Sequence, residues 1–216
     1  QGGGCVKTIV REVKSAAVPA RTKQAGEAQG PWAWVERAIW TDRMLEALEK
    51  GLKGGVWFSL IDKVHRPKVL LAAWLSVRGK GRAVGSDHQS LEQFEENLEK
   101  NLANLEEELR TGTYRPRPIR RTYIDKPGSK DKRPLGIPAV RDKVVQTALK
   151  MVIEPIFERD FIDTSFGFRP GLGCKDALRQ VERLLKAGYT WVMDADLKSY
   201  FETICHDRLM KVVSKS

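Results

Sequence analysis

Apolar side chains recur at Leu91, Phe94, Leu98, Leu102, Leu105 and Leu109, in steps of three or four, with Glu and Lys filling the other face. That period predicts one amphipathic helix over residues 90–110. Ser90 and Gln93 have the spacing of a capping box, and Gly112 can stop the helix. A second stripe, Val144, Val145, Ala148, Val152 and Ile156, predicts a helix from Val140 to Phe157 that Pro155 should kink or end. A third, Ala177, Leu178, Val181, Leu184 and Leu185, predicts a helix from Lys175 to Ala187, stopped by Gly188. Upstream, Thr41 can cap DRMLEALEKGLKGG, while VWFSLIDKV and, after Pro67, KVLLAAWLSV read as two shorter helices. Their aromatics Trp57, Phe58 and Trp74 fit a core better than a base-stacking surface.

Elsewhere the texture is that of strands. Ile119, Thr122 and Ile124 alternate behind Pro116 and Pro118, which predicts an edge strand; PGSKDK is a turn, and RPLGIP is the returning strand. Residues 189–196 read as a buried strand that runs into helical sequence from Lys198 to Ser214, and FIDTSFGFRPGLGC is a loop. Residues 1–37 lack a period and read as a poorly ordered tail or linker. Helices and strands are thus mixed but segregated, an α+β pattern.

Charge sharpens the picture. The net charge is +10, and from Arg115 to Lys150 eleven Lys/Arg stand against three Asp. A basic block this local predicts a polyanionic partner, most simply nucleic acid, with a solvated basic loop as the plainer alternative. Cys5, Cys174 and Cys205 are odd in number and form no CxxC, so neither a disulfide framework nor a structural zinc site is indicated. A reducing, intracellular setting fits, and no apolar run reaches the roughly 20 residues of a membrane span. The chain opens on Gln rather than Met, which suggests an incomplete reading of a longer gene.

Two constellations can carry chemistry. In VMDADLKSYF, strand alternation puts Val192, Asp194 and Asp196 on one face and Trp191, Met193 and Ala195 on the other. A carboxylate at the end of a buried strand is costly unless paired, solvated or bound to a cation, and Mg²⁺ takes one or two carboxylates plus phosphate oxygens. Two acids capping an exposed turn remain the plainer reading of these residues alone. The hairpin offers Lys126, Lys130, Lys132 and Arg133, and a Lys with an Arg on a projecting element suits a triphosphate. By their positions on either side of the turn, Lys126 and Arg133 should face each other across it.

The strings KPGSKDKRPLGIPAVRDKVVQTALKMVIEPIF, TSFGFRPGLGCKDAL and WVMDADLKSYFETICHDRLM, in this order, closely resemble the reverse transcriptases encoded by group II introns, also called maturases. GTYRP, the 90–110 helix and WTDRMLEALEKGLKGGVWFSLIDK are similar to that family's N-terminal extension, so the resemblance covers residues 38 to 214. It implies a partial right-hand polymerase fold: a helical N-terminal extension at 38–112, fingers at 113–188 and the start of an incomplete palm at 189–216. It implies RNA-directed DNA polymerase chemistry in the cytoplasm, with an RNA template or intron RNA, a DNA primer, dNTP and Mg²⁺. Asp196 would be the first catalytic aspartate and a metal ligand, joined by the carbonyl of Leu197. Lys126 and Arg133 would hold the incoming triphosphate; the loop is one residue longer than in some relatives, which makes Lys132 a rival to Arg133. The backbone amides of Ser199 and Tyr200 would contact phosphates, and Phe201 would exclude a 2′-OH. Arg141, Lys143 and Arg169 would line the template or nucleotide side, with structural pairing as an equal reading. The family's Y-x-D-D or F-x-D-D turn does not occur in these 216 residues. The expectation is therefore a first half of a polymerase that does not polymerise alone; the alternatives are a non-catalytic intron-RNA-binding module or a truncated relic.

Overall fold

The computed structural model describes residues 6–12, 32–51, 57, 59–80, 83–125, 128, 130–197 and 199–214, with 6–12 and 202 described by backbone. The chain divides into two units: Val35–Leu52 with Trp57–Arg159, and Gln1–Trp34 with Lys53–Val56 and Asp160–Ser216. In chain order the elements are β1 Val6–Glu12, α1 Asp42–Lys50, α2 Leu60–Val64, α3 Pro67–Arg78, α4 Leu91–Glu96, α5 Leu98–Arg110, β2 Arg120–Asp125, β3 Lys132–Ile137, α6 Val140–Glu158, α7 Cys174–Lys186, β4 Trp191–Leu197, α8 Tyr200–Thr203 and α9 His206–Val213. The mixture of helix and strand is the one the patterning predicts. The strand β1 lies in sequence that shows no period.

The first unit is built around α6, against which α2, α3 and α5 pack. The apolar set of α6 is buried as its period predicts, and it meets Val69, Leu70, Ala73, Trp74 and Val77 of α3 in the core. Trp74 stacks on Phe94 of α4 with ring centres 5.0 Å apart. Truncating a fully buried leucine such as Leu70 to Ala in such a core costs about 2–5 kcal/mol.

One expectation fails here for a local reason. The helix expected over 90–110 is two helices, broken at Asn97, whose backbone leaves the helical region at φ −123°, ψ 37°. Asn101 Nδ2 donates to the Phe94 carbonyl at 2.9 Å across the break, a side-chain bond that competes with the helical ladder. The capping box at Ser90 and Gln93 does form, with both reciprocal bonds present. The helix α6 runs from Val140 to Glu158, one residue beyond the expected Phe157, with Pro155 in its last turn. Proline lacks the N–H that would bond the carbonyl of residue 151. Trp40, fully buried, supplies the missing donor: its Nε1–H donates to the Met151 carbonyl at 3.0 Å.

A buried carboxylate joins this helical core to the basic hairpin. Asp142, in the first turn of α6, is 1% exposed. It accepts a hydrogen bond from the Tyr114 hydroxyl at 2.6 Å and one from the Arg117 backbone N–H at 2.9 Å. Arg141 lies over the Tyr114 ring, 5.4 Å from its centre, and donates to Glu108 near the end of α5. An ionised group can be buried only when so partnered. The loop before α4 closes against the same segment: Ser86 Oγ donates to the Pro118 carbonyl at 2.5 Å. Gly85 approaches Ala139 so closely that a Cβ there would lie 2.4 Å from its Cα. The strands that follow, β2 and β3, pair antiparallel from Arg120↔Ile137 to Asp125↔Lys132.

The second unit holds β4, paired antiparallel with β1 from Val6↔Leu197 to Glu12↔Trp191. The sequence suggests a buried strand; instead β4 is largely open, with Trp191 72% exposed. The apolar stripe of α7 is likewise uncovered, and neither α7 nor α9 has a buried residue. The reason is the absence of a covering layer for these faces among the described residues. Among those residues no helix is long and apolar enough to cross a membrane.

Trp40→Phe should destabilise the chain by about 1–3 kcal/mol by leaving the Met151 carbonyl unpaired. The loss should shrink when Pro155→Ala restores a helical N–H, as a denaturation double-mutant cycle can measure. Burial first, and the bond to Asp142 second, push the Tyr114 phenol well above its ordinary pKa. Because the folded state holds this proton more tightly, the contribution is fully present below about pH 10 and is lost as pH rises further. Tyr114→Phe should therefore lower stability at neutral pH by about 1–2 kcal/mol. It should also flatten the alkaline fall in stability, read from urea melts between neutral and alkaline pH.

Candidate nucleotide and nucleic-acid surfaces

One surface lies at the junction of β4 and α8. The strand ends at Leu197 and the chain turns through Ser199, whose φ of 52° and ψ of 37° are left-handed. A non-glycine residue in that region costs on the order of 1–2 kcal/mol. The turn brings Ala195, Asp196, Leu197, Tyr200 and Phe201 around an open hollow of about 500 Å³. Four of the residues singled out from the sequence thus meet in one place. Tyr200 and Phe201 lie edge to face with ring centres 5.3 Å apart, and Phe201 is 83% exposed. The Ser199 carbonyl accepts the Thr203 N–H at 3.1 Å, which holds the short helix to the turn.

The carboxylate of Asp196 and the neighbouring carbonyl are hard oxygen donors of the kind Mg²⁺ takes. They fit part of the shell of one ion. They do not fit a pair of ions: among the described residues no group of three or more His, Cys, Asp or Glu could hold a metal.

The other surface is the hairpin. Lys126 falls outside the described residues, so its expected position opposite Arg133 has no structural counterpart to set beside it. Arg133 stands opposite Ile124, and Lys132 stands opposite Asp125 with its Nζ 3.7 Å from Oδ1. The two rivals for the triphosphate therefore project from opposite faces of the ribbon. Arg115, Arg117, Arg121, Lys130, Lys132 and Arg133 are all exposed.

The three cations expected along the template side are engaged within their own units. Arg141 is held by Glu108 and Tyr114. Lys143 donates to the Ala83 carbonyl, and burial lowers its pKa against the opposing pull of Asp87. Arg169 donates to the carbonyls of Ile162 and Ser165, both at 2.8 Å, and lies over Phe161 at 5.5 Å. Lys143 and Arg169 tie down backbone, and Arg141 joins side chains of α5 and of the segment before β2. Sequence reasoning missed Tyr114 and Asp142. The available signal was an acid in the first turn of a helix, inside a block where nearly every other charge is positive.

Residues 124–215 match the reverse transcriptase (RNA-dependent DNA polymerase) family. Protein YkfC of Escherichia coli strain K12 is 43% identical over 162 residues, which cover 72% of this chain and 42% of that protein. The group II intron-encoded protein LtrA of Lactococcus lactis subsp. cremoris is 40% identical over 116 residues, 54% of this chain and 19% of that protein. An uncharacterized 91 kDa protein in the cob intron of Schizosaccharomyces pombe is 43% identical over 106 residues, 49% of this chain and 13% of that protein. The chain thus spans less than half the length of each of these relatives. The matched segment begins in the hairpin and runs through the Asp196 hollow, and over it the chain is similar to reverse transcriptases, a group II intron-encoded protein among them.

Proposed function

We propose that this chain is the nucleic-acid- and nucleotide-gripping first half of a group II intron-type RNA-directed DNA polymerase. The observation that carries the reading is the family match over residues 124–215, which takes in the hairpin from Ile124 onward and the Asp196 hollow. On this reading the helical part through residue 112 is the N-terminal extension, the segment 113–188 the fingers, and the segment from 189 the start of the palm. RNA is the template or intron partner, and a DNA primer and dNTP are the other substrates.

Each residue has a task that follows from its chemistry. Lys126 and Arg133 neutralise and orient the triphosphate, Lys as a point charge and Arg as a fork. The amides of Ser199 and Tyr200 point at phosphate oxygens, and the Phe201 ring takes the space a 2′-OH would need. Asp196, with the Leu197 carbonyl, holds Mg²⁺. When bound, that ion supplies charge neutralisation at the transferring phosphate and orientation of the attacking oxygen. Lys143 and Arg169 shape the surface beside the nucleic acid by fixing the backbone they bond, and Arg141 does so through Glu108 and Tyr114.

These 216 residues contain no paired aspartates to complete a two-ion site, so the chain by itself binds without copying. Its affinity for unstructured RNA should fall steeply with salt. If five or so of the exposed hairpin cations contact phosphates, log K against log salt should have a slope of about −3 to −4. Primer extension on an RNA template with dNTPs and Mg²⁺ should yield no product. A flat salt dependence would refute the nucleic-acid reading. Template-dependent product abolished by Asp196→Ala would refute the claim of incompleteness.

A further inference from the structure

The two faces of the hairpin differ. Arg121 pairs with Gly136, Tyr123 with Pro134 and Asp125 with Lys132, and directly opposed residues project from the same side of the ribbon. Every one of these positions is exposed, whereas the opposite side mixes exposed Arg133 and Leu135 with half-buried Arg120, Thr122 and Ile124 and buried Ile137. On the open side Tyr123 is 60% exposed. Ile119, equally exposed, lies across Gly136: a Cβ on that glycine would come within 2.8 Å of its Cγ2. The result is a low apolar platform of ring, proline and isoleucine.

Water is a poor neighbour for such a platform. Its surroundings specify what covers it. Residues 113–137 hold eight Lys/Arg against two Asp, so the partner is anionic. It must also present flat apolar faces. Single-stranded nucleic acid alternates both along its length, and its unstacked bases lie on aromatic rings beside cationic side chains. A duplex hides those faces. We propose that the open face of the hairpin is a stacking platform for single-stranded RNA, with a base on Tyr123 and a neighbouring phosphate on Arg121. The platform rests on the nucleic-acid reading of the chain given above and adds to it a site distinct from the triphosphate-binding side chains Lys126 and Arg133.

The test uses the full chain and fluorescence anisotropy with a short unstructured single-stranded RNA and a matched duplex. Tyr123→Ala should weaken single-strand binding about tenfold, leave the salt slope unchanged and leave duplex binding unchanged. Tyr123→Phe should stay within about twofold of the parent, and Tyr123→Leu should behave as Ala does. Arg121→Ala should instead reduce the salt slope by about 0.7. Unchanged melting temperatures show that the variants fold. If the parent binds RNA with a steep salt slope but Tyr123→Ala binds equally well, the platform is refuted and the broader reading survives. Restoration by Leu, or equal losses on duplex and single strand, refutes stacking in favour of a generic apolar contact. A parent that does not bind RNA at all refutes both.

Discussion

A carboxylate that has no access to water sets the position of the most basic part of this chain. Asp142 takes its hydrogen bonds from Tyr114 and from the backbone of Arg117, so its desolvation is offset only while the segment before β2 stays in place. That segment carries its own burden of positive charge. Without an internal acid, Arg115, Arg117, Arg120 and Arg121 would repel one another along an extended strand with few packing contacts of its own. With it, the helical core around α6 and the hairpin become one cooperative unit, and the outward cations keep a fixed spacing for an anionic partner. The pairing of Arg141 with Glu108 and the ring of Tyr114 encloses the junction.

The second unit obeys a different constraint. Its strand β4 and its helices α7 and α9 leave apolar side chains uncovered, Trp191, Met193, Leu178 and Met210 among them. A two-stranded ribbon is at best marginally stable alone. The expected outcome is low local stability in residues 189–214 beside a firm α3–α6 core, which is also where the hollow around Asp196 is built. A nucleotide-binding surface on a weakly held element gains rigidity when its ligand or a covering layer arrives.

Much of this was legible because it is local. The boundaries of α7, the inward side of α6 and the capping box at Ser90 and Gln93 follow from spacing within one helix. Asp196, Leu197, Tyr200 and Phe201 could be grouped from the sequence because a strand, a turn and a helix bring five or six neighbouring positions together. What escaped depends on distant partners. The partner that takes the carbonyl freed by Pro155, Trp40 far upstream, is set by tertiary structure. Asn97 breaks a helix without disturbing its apolar stripe. Burial of β4 was inferred from its composition, but composition does not say whether anything covers a strand. Arg141, Lys143 and Arg169 looked available for nucleic acid because their acceptors, a glutamate and several carbonyls, are placed by tertiary structure.

The dependence of the hairpin on Asp142 can be measured by backbone hydrogen exchange over residues 114–137, comparing the parent with Asp142→Asn. An amide at this position can no longer accept from both partners on charged oxygens. The account predicts faster exchange throughout β2 and β3, with α3 and the middle of α6 still protected. Hairpin exchange identical to the parent, in a variant that remains folded, would contradict it.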